Sequence, residues 1–169
     1  MKPSTMKETG ELRRFKHIPD FGEFRYIDST FSKLTDNLWM GGAPSPFVRI
    51  HDYFDGLALC ADEYQPNCFP DVSMIRALIK DDGSPMTRQE RIEAARAAGK
   101  VIKLINDGGR VLVTCYAGMN RSGLVCAVTL CKGPDKMNVD DAIKLIRKAR
   151  GKYALSNTDF VDFLYAFCR

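Results

Sequence analysis

The chain has 169 residues, of which 45% are hydrophobic, so it is long enough to fold as a single domain around a continuous core. Its formal net charge of +4 is a mild basic excess spread along the sequence, which argues against the dense Lys/Arg blocks typical of nucleic-acid binding. The six cysteines form no CxxC or Cys/His group that would predict a zinc site or a disulfide framework, and because no apolar run is long enough for a membrane span or signal sequence, we expect a cytosolic protein.

Residues 1–30 are predicted to form an extension to a domain that covers residues 31–169. Aromatic residues are scattered among charged residues in this segment, without the period of a helix or of a strand. We therefore expect the extension to pack on the domain only in part.

Within the domain, four short apolar runs predict buried strands. Runs of this length that are bounded by glycine or aspartate are typical of strands that end in turns. The four runs are Leu38 to Met40, Leu57 to Cys60, Met74 to Ile79 and Val111 to Thr114.

A helix is predicted between the third and the fourth of these strands. Thr87 and Glu90 have the spacing of a capping box, in which each side chain bonds the free backbone amide of the other. The residues expected on the inward face of this helix are Ile92, Ala95, Ile102 and Ile105.

Two further helices are predicted in the last third of the chain. One runs from Asn138 to a stop at Gly151, with acidic residues in its first turn and basic residues in its last, as the helix dipole favours. The other carries an apolar stripe that we expect to face the core, formed by Phe160, Phe163, Leu164 and Phe167. Strands that alternate with helices, followed by a helical end, predict an α/β domain whose sheet is covered on both faces.

The stretch VLVTCYAGMNRSG, residues 111–123, carries the chemistry. A buried strand runs into Cys-x5-Arg-Ser-Gly and then into an apolar helix. A loop at such a junction turns its backbone amides around a tetrahedral oxyanion, and the N-terminus of the helix adds partial positive charge at the same point. We therefore predict a phosphate-binding loop formed by Tyr116, Ala117, Gly118, Met119, Asn120 and Arg121.

Three side chains of this stretch are candidates for catalysis. The loop amides, the helix dipole and the Arg121 guanidinium all favour a thiolate at Cys115, which makes it a nucleophile at neutral pH. Arg121 has the planar fork that holds two phosphate oxygens, and Ser122 is expected to assist the sulfur as it leaves. The alternative interpretation of Cys115 is a buried, inert thiol at the end of a strand.

With these residues the chain resembles the protein tyrosine phosphatase superfamily, and in particular its compact dual-specificity branch. The likeness extends from about Leu34 to the C-terminus. It implies an α/β domain with a central mixed, mainly parallel sheet of four to five strands flanked by helices. It also implies a two-step transfer through a phosphocysteine, without metal or organic cofactor.

The resemblance further implies a carboxylic acid on a loop about thirty residues before the nucleophile. Asp81 and Asp82 lie there, and Asp82 precedes Cys115 by 33 residues. Such an acid protonates the leaving oxygen, since an alkoxide or phenoxide leaves poorly, and then activates water. We favour Asp82, with Asp81 as the alternative, and a solvated aspartate in a turn is the other interpretation of either residue.

Three more positions differ from the family pattern or match it in part. The family usually has histidine where this chain has Thr114. Asn120 replaces a more frequent serine, as in relatives that act on RNA 5′-triphosphates. Asn157 matches a family position that often supports the phosphate loop, and a plain helix N-cap explains it equally well.

Cys60 ends the second predicted strand, and strand ends on one edge of such a sheet gather around the phosphate loop. We therefore hypothesise that Cys60 traps oxidised Cys115 as a disulfide. The alternative is a small residue buried for packing.

The sequence thus predicts a cysteine-dependent phosphatase with a phosphoprotein substrate, which carries phosphotyrosine alone or together with phosphoserine and phosphothreonine, and no membrane partner. One alternative is an RNA 5′-triphosphatase of the same superfamily, for which nucleic acid becomes a partner. The other is a phosphate-binding pseudophosphatase or interaction domain.

Overall fold

Five strands form one sheet in the part of the chain that the computed structural model describes, residues 30–169. The strands are Phe31–Lys33 (β1), Leu38–Gly41 (β2), Gly56–Ala61 (β3), Ser73–Ile79 (β4) and Val111–Thr114 (β5), in the spatial order β1-β2-β5-β3-β4. β1 is antiparallel to β2, and the other neighbouring pairs are parallel. The predicted mixed, mainly parallel sheet is confirmed, whereas the predicted extension, residues 1–30, lies outside the described residues apart from Thr30.

The central strands β3 and β5 show why the predicted apolar runs become strands. Every residue of both strands is buried, which is the pattern of parallel strands that are covered on both faces. All four predicted strands are present. β1 was not predicted, because Phe-Ser-Lys contains no apolar run, and it forms through its pairing with β2.

The two faces of the sheet are covered differently. Ala58 and Cys60 of β3 face a large core cluster that includes residues from all the helices after β4. Leu57 and Leu59 face a second cluster that is built around Phe54 and other aromatic side chains of the loops. Alternate residues of one strand therefore serve two separate cores.

The α-helices are Arg88–Asn106 (α1), Arg121–Lys132 (α2), Val139–Arg150 (α3) and Thr158–Phe167 (α4), and a short 3-10 turn spans Ile50–Asp52. α1 begins at the predicted capping box. α3 begins after Asn138, whose side chain caps it, and ends at Gly151 in a positive-φ conformation, as predicted. Within residues 30–169, no helix combines the length and apolar character needed to cross a bilayer.

The predicted inward face of α1 is wrong. Ile92 is 47% exposed, while Ala95, Ile102 and Ile105 are only partly buried, and Ile105 packs at the edge of the core. The apolar residues that are buried are Ala94, Ala97, Ala98 and Val101. α1 packs against both β4 and α2, and alanines allow a closer approach than the larger isoleucines do.

The predicted stripe of α4 is correct except at its last position. Phe160, Phe163 and Leu164 are buried, but Phe167 is 41% exposed because the helix ends there. The Phe167 ring stacks on that of Phe163, with a centroid distance of 5.1 Å.

The carboxylate of Glu90 joins the end of β4 to the start of α1. Its oxygens accept hydrogen bonds from the backbone amides of Lys80 and Thr87, at 2.9 and 2.8 Å. Burial acts to raise the pKa of Glu90, but these hydrogen bonds outweigh burial and hold the pKa below its ordinary value. Glu90 thereby fixes both ends of the loop formed by residues 81–86.

Replacement of Glu90 by glutamine is expected to lower the free energy of unfolding by about 1–3 kcal/mol at neutral pH, because an amide accepts on only one side. The folded-state pKa of Glu90 is lowered, so its contribution is present above the ordinary glutamate pKa and is lost as the pH falls through the folded value. The loss caused by Glu90→Gln should therefore shrink below about pH 4. Urea unfolding of both proteins at neutral and acidic pH measures this difference.

The control is Asp162→Asn, which removes an exposed carboxylate from α4. A Glu90→Gln loss that is the same at neutral and at acidic pH would contradict the assigned role of the carboxylate.

Candidate active site

The sulfur of Cys115 lies at the base of the loop that joins β5 to α2. Cys115 is 3% exposed, and its Sγ receives a hydrogen bond from the Gly118 amide at 3.2 Å. The Ser122 Oγ lies 3.2 Å from the same sulfur. The Gly118 amide thus donates directly to the sulfur, and the Ser122 hydroxyl is within hydrogen-bonding distance of it.

Gly118 makes the tight loop possible in two ways. Its φ is +70°, in the left-handed region that glycine adopts without strain. A Cβ at this position would also lie 2.4 Å from the Gly41 carbonyl carbon and 2.5 Å from the Gly42 nitrogen. Any side chain at this position would therefore distort the loop.

Thr114 occupies the position before the nucleophile but contacts the neighbouring strand. Its hydroxyl donates to the Ala58 carbonyl of β3 at 2.9 Å, and the side chain is fully buried. Thr114 therefore joins two central strands beneath the loop.

Arg121 is held in place by a carboxylate that sequence reasoning missed. Both terminal nitrogens of its guanidinium donate to the Glu63 carboxylate, and Nη1 also donates to the Ile79 carbonyl at 3.2 Å. The Arg121 side chain is only 9% exposed. Its Nε is buried and has no hydrogen-bond partner among the described residues.

Arg121 and Glu63 each stabilise the charged form of the other. The hydrogen bonds from Arg121 lower the pKa of Glu63. Burial acts to lower the pKa of Arg121, but Glu63, together with the charges of Cys115 and Asp81, outweighs burial and raises it. Arg121 therefore stays charged although it is buried.

The signal for Glu63 in the sequence is its position just after the buried strand β3, at the edge where strand ends meet.

Asp81 is the aspartate that contacts the phosphate loop. Its Oδ2 accepts a hydrogen bond from Asn120 Nδ2 at 3.0 Å, and its Oδ1 accepts one from Asn157 Nδ2 at 2.8 Å. Asn120 Oδ1 accepts from the backbone amides of Ser156 and Asn157, and Asn157 Oδ1 accepts from the Phe160 amide. Because backbone donors fix the oxygen side of each amide, both NH2 groups are directed at Asp81.

Asp82 lies in a different environment. Like Asp81 it is exposed, but its carboxylate accepts hydrogen bonds from both the backbone amide and the hydroxyl of Ser84. The Ser84 side chain and then its amide lower the pKa of Asp82. The structure thus gives Asp82 the contacts of a turn aspartate and places the neighbouring residue, Asp81, against the loop.

Asn157 caps α4 through the Phe160 amide, which is one of the two interpretations of its position. Its side chain also donates to Asp81 of the acidic loop, while only its backbone amide contacts the phosphate loop, at Asn120. Asn120, in the phosphate loop, also bonds both the acidic loop, at Asp81, and the segment before α4, at Ser156. Sequence reasoning did not foresee these two contacts.

Cys60 lies beside Cys115. β3 and β5 pair in parallel with Leu59 opposite Thr114, so the next residue of each chain segment is a cysteine. Both thiols are buried in the same core cluster. Burial, followed by the charge of Cys115, raises the pKa of Cys60 well above its usual value, while Arg121 opposes this rise.

The remaining loop residues form the mouth of the site. Tyr116 and Ala117 are exposed, and Met119 is partly buried. A groove of about 410 Å³ opens next to Asp81 and is lined by polar residues, including Ser84, Asn120 and Ser156. Among residues 30–169, no three His, Cys, Asp or Glu side chains are grouped to hold a metal ion.

Comparisons with known proteins identify the same fold. Human DUSP28 has a TM-score of 0.70 and 18% sequence identity, over 80% of this chain and 90% of that chain. A mouse putative dual specificity phosphatase has a TM-score of 0.69 and 21% identity, over 80% of this chain and 84% of that chain. The PTP-2 phosphatase of Cydia pomonella has a TM-score of 0.67 and 15% identity, over 81% of this chain and 89% of that chain.

At the level of sequence, no curated protein matches the chain significantly. Residues 61–169, however, match the family model described as the catalytic domain of dual specificity phosphatases. This match covers more than half of the chain and includes Cys115, Arg121 and both aspartates. The chain therefore belongs to the dual specificity phosphatase family.

Proposed function

We propose that this phosphatase hydrolyses phosphotyrosine in proteins, alone or together with phosphoserine and phosphothreonine, through a phosphocysteine at Cys115. The observation that carries the proposal is the buried, unpaired Nε of Arg121 in the described part of the chain. A buried N–H donor without an acceptor costs free energy, and an acceptor supplied by a ligand removes this cost. A phosphate oxygen held in the loop supplies that acceptor.

In the first proposed step, the Cys115 thiolate attacks phosphorus and the bond from phosphorus to the tyrosine oxygen breaks. The protonated carboxyl of Asp81 gives its proton to the leaving oxygen. The loop amides and Arg121 hold the other phosphate oxygens, where negative charge is concentrated in the transition state.

In the second step, the Asp81 carboxylate removes a proton from water, and the water oxygen attacks phosphorus. The bond between phosphorus and sulfur breaks, and inorganic phosphate is released. The Ser122 hydroxyl, 3.2 Å from the sulfur, donates to the departing thiolate and so lowers the cost of this step.

The choice of Asp81 as the acid rests on position. Asn120 and Asn157 each hold one of its carboxylate oxygens, so the acidic loop is fastened to the phosphate loop. Asp82, in contrast, is bonded within its own turn to Ser84. A general acid must reach the leaving oxygen within hydrogen-bond distance, which favours the carboxyl that is next to the loop.

An oxyanion site is also supported by a relative with the same fold. The mouse putative dual specificity phosphatase was crystallised as a complex with zinc tungstate. Tungstate is a tetrahedral oxyanion like phosphate, so it is a suitable probe for the loop of this chain.

The RNA 5′-triphosphatase alternative is weakened by the contacts of Asn120. That residue was its main support, and Asn120 here bonds Asp81 and the connection between α3 and α4. These contacts account for Asn120 without an RNA substrate. The proposed partner is therefore a phosphoprotein. The cytosolic location is a prediction from the sequence alone.

Substitutions test the proposed nucleophile and the proposed acid. Without added metal, the wild type is expected to hydrolyse p-nitrophenyl phosphate and a phosphotyrosine peptide, and Cys115→Ser is expected to be inactive. Asp81→Ala should lower kcat on the peptide by roughly 10²–10⁴-fold, because the tyrosine oxygen then leaves without a proton. The effect on p-nitrophenyl phosphate should be smaller, since nitrophenolate is a better leaving group.

Asp82→Ala is the matched comparison, and we expect it to retain most of the wild-type kcat. A larger loss for Asp82→Ala than for Asp81→Ala would reverse the assignment of the acid. A wild type that is inactive on both substrates but releases phosphate from triphosphorylated RNA would favour the triphosphatase. A wild type that is inactive on p-nitrophenyl phosphate, the phosphopeptide and triphosphorylated RNA would favour a phosphate-binding interaction domain without catalytic activity.

We also propose that Cys60 traps oxidised Cys115. Hydrogen peroxide converts the Cys115 thiolate to a sulfenic acid. The Cys60 sulfur then attacks that sulfur, so that a disulfide forms and the sulfenic oxygen leaves as water. Because burial raises the pKa of Cys60, this trapping should be slow at neutral pH and faster as the pH rises.

Peptide mapping after mild peroxide is expected to find Cys60 linked to Cys115, with activity restored by dithiothreitol. Cys60→Ala should lose this recovery, whereas Cys126→Ala, a buried thiol of the same cluster, should keep it. The hypothesis fails if Cys115 remains unpaired or is oxidised directly to the sulfinic acid.

A further inference from the structure

The side chain of Arg150, the last residue of α3, reaches the outer side of the phosphate loop. Its Nε donates to the Gly118 carbonyl at 3.0 Å, and its Nη2 donates to the Ala117 carbonyl at 3.3 Å. Its Nη1 donates to the Thr30 carbonyl at 3.0 Å and to the Ser32 hydroxyl at 3.3 Å. One half-buried guanidinium thus joins α3, β1 and the loop.

These contacts fix the direction of the loop amides. In a planar trans peptide, the C=O and the N–H of the next residue point in opposite directions. When Arg150 holds the carbonyls of Ala117 and Gly118 on the outside, the amides of Gly118 and Met119 face the inside. The Gly118 amide does face inward, since it lies 3.2 Å from the Cys115 sulfur.

The packing around Arg150 leaves little freedom for the loop to turn over. A Cβ added at Gly118 would lie 2.6 Å from Arg150 Nη2, so the guanidinium lies directly against the loop backbone. The Ser32 hydroxyl, which accepts from Arg150, donates to the Ala149 carbonyl at 3.1 Å and holds β1 at the end of α3.

The guanidinium of Arg150 is within electrostatic range of the nucleophile. Burial lowers the pKa of Arg150, and interactions with Cys115 and Cys126 oppose this shift. A guanidinium remains protonated in proteins, so Arg150 places a second positive charge near Cys115, in addition to Arg121. Thr114, bonded to the Ala58 carbonyl, adds no charge at the position before the nucleophile.

We propose that Arg150 is a positioning residue of the phosphate loop, which turns the loop amides toward the bound oxyanion and favours the thiolate of Cys115. This inference rests on the proposed oxyanion-binding function of the loop. It gives Arg150 two separable actions, because its hydrogen bonds need the planar fork whereas its charge does not.

The test compares Arg150→Met and Arg150→Lys with Lys148→Met, which removes an exposed charge from the same turn of α3. The dissociation constant of tungstate is measured by calorimetry. The pH midpoint for alkylation of Cys115 by iodoacetamide is measured from the mass of its peptide. Neither measurement requires turnover, so both report on the loop even if the proposed substrate is wrong.

Arg150→Met is expected to weaken tungstate binding by roughly 10–100-fold, as the loss of charged hydrogen bonds predicts. It should also move the alkylation midpoint to higher pH. Arg150→Lys should restore the midpoint, because the charge returns, but should restore little of the tungstate affinity. Lys148→Met should match the wild type in both measurements.

The proposal is overturned if Arg150→Met and Lys148→Met have the same tungstate affinity and the same midpoint. It is also overturned if the wild type binds no tungstate. If Arg150→Met does not fold, the test rests on Arg150→Lys. A folded Lys variant with unchanged tungstate affinity would contradict the role of the guanidinium hydrogen bonds. If tungstate binding depends on Arg150 but the wild type hydrolyses no phosphate ester, the positioning role stands and the proposed function fails.

Discussion

The structure depends on one constraint, which is that several backbone amides between β5 and α2 must face the same point. Amides that converge in this way repel one another, so the loop must be held from outside. Four successive carbonyl oxygens, from Tyr116 to Met119, each accept a hydrogen bond from outside the loop. The donors come from the segment after β2, from Arg150 at the end of α3 and from the connection between α3 and α4.

The side chains at the site are organised around the same point. Arg121 is fixed by Glu63 and the Ile79 carbonyl, which leaves its buried Nε for the ligand. The acidic loop is fastened at its ends by Glu90 and at Asp81 by two asparagines. The charges of Arg121 and Arg150 and those of Glu63 and Asp81 thus lie around the same loop.

Sequence reasoning was accurate where the signal was local. The four apolar runs, the capping box at Thr87 and the strand-loop-helix at Cys115 each depend on residues that are close in the chain. Reasoning of this kind also identified Asn157, because a motif placed it near the start of the last helix.

Features that depend on distant contacts were missed. The contact of Glu63 with Arg121 joins residues 58 positions apart, and that of Arg150 with Gly118 joins residues 32 positions apart. Asp81 and Asp82 are adjacent in the chain, so spacing alone does not distinguish them. The asparagine side chains that donate hydrogen bonds to Asp81 are 39 and 76 positions away. The inward face of α1 was misjudged for a similar reason, since close packing on β4 and α2 favours alanine over isoleucine.

The central claim is that Cys115 carries the phosphoryl group during turnover. The most direct test is an acid quench of Asp81→Asn within the first turnovers of p-nitrophenyl phosphate, followed by mass analysis of the peptide that contains Cys115. The good leaving group allows the first step without an acid, and the missing base slows the second step, so the account predicts a phosphorylated Cys115 that accumulates. Turnover with an unmodified Cys115 peptide, or with the phosphoryl group on another residue, would contradict it.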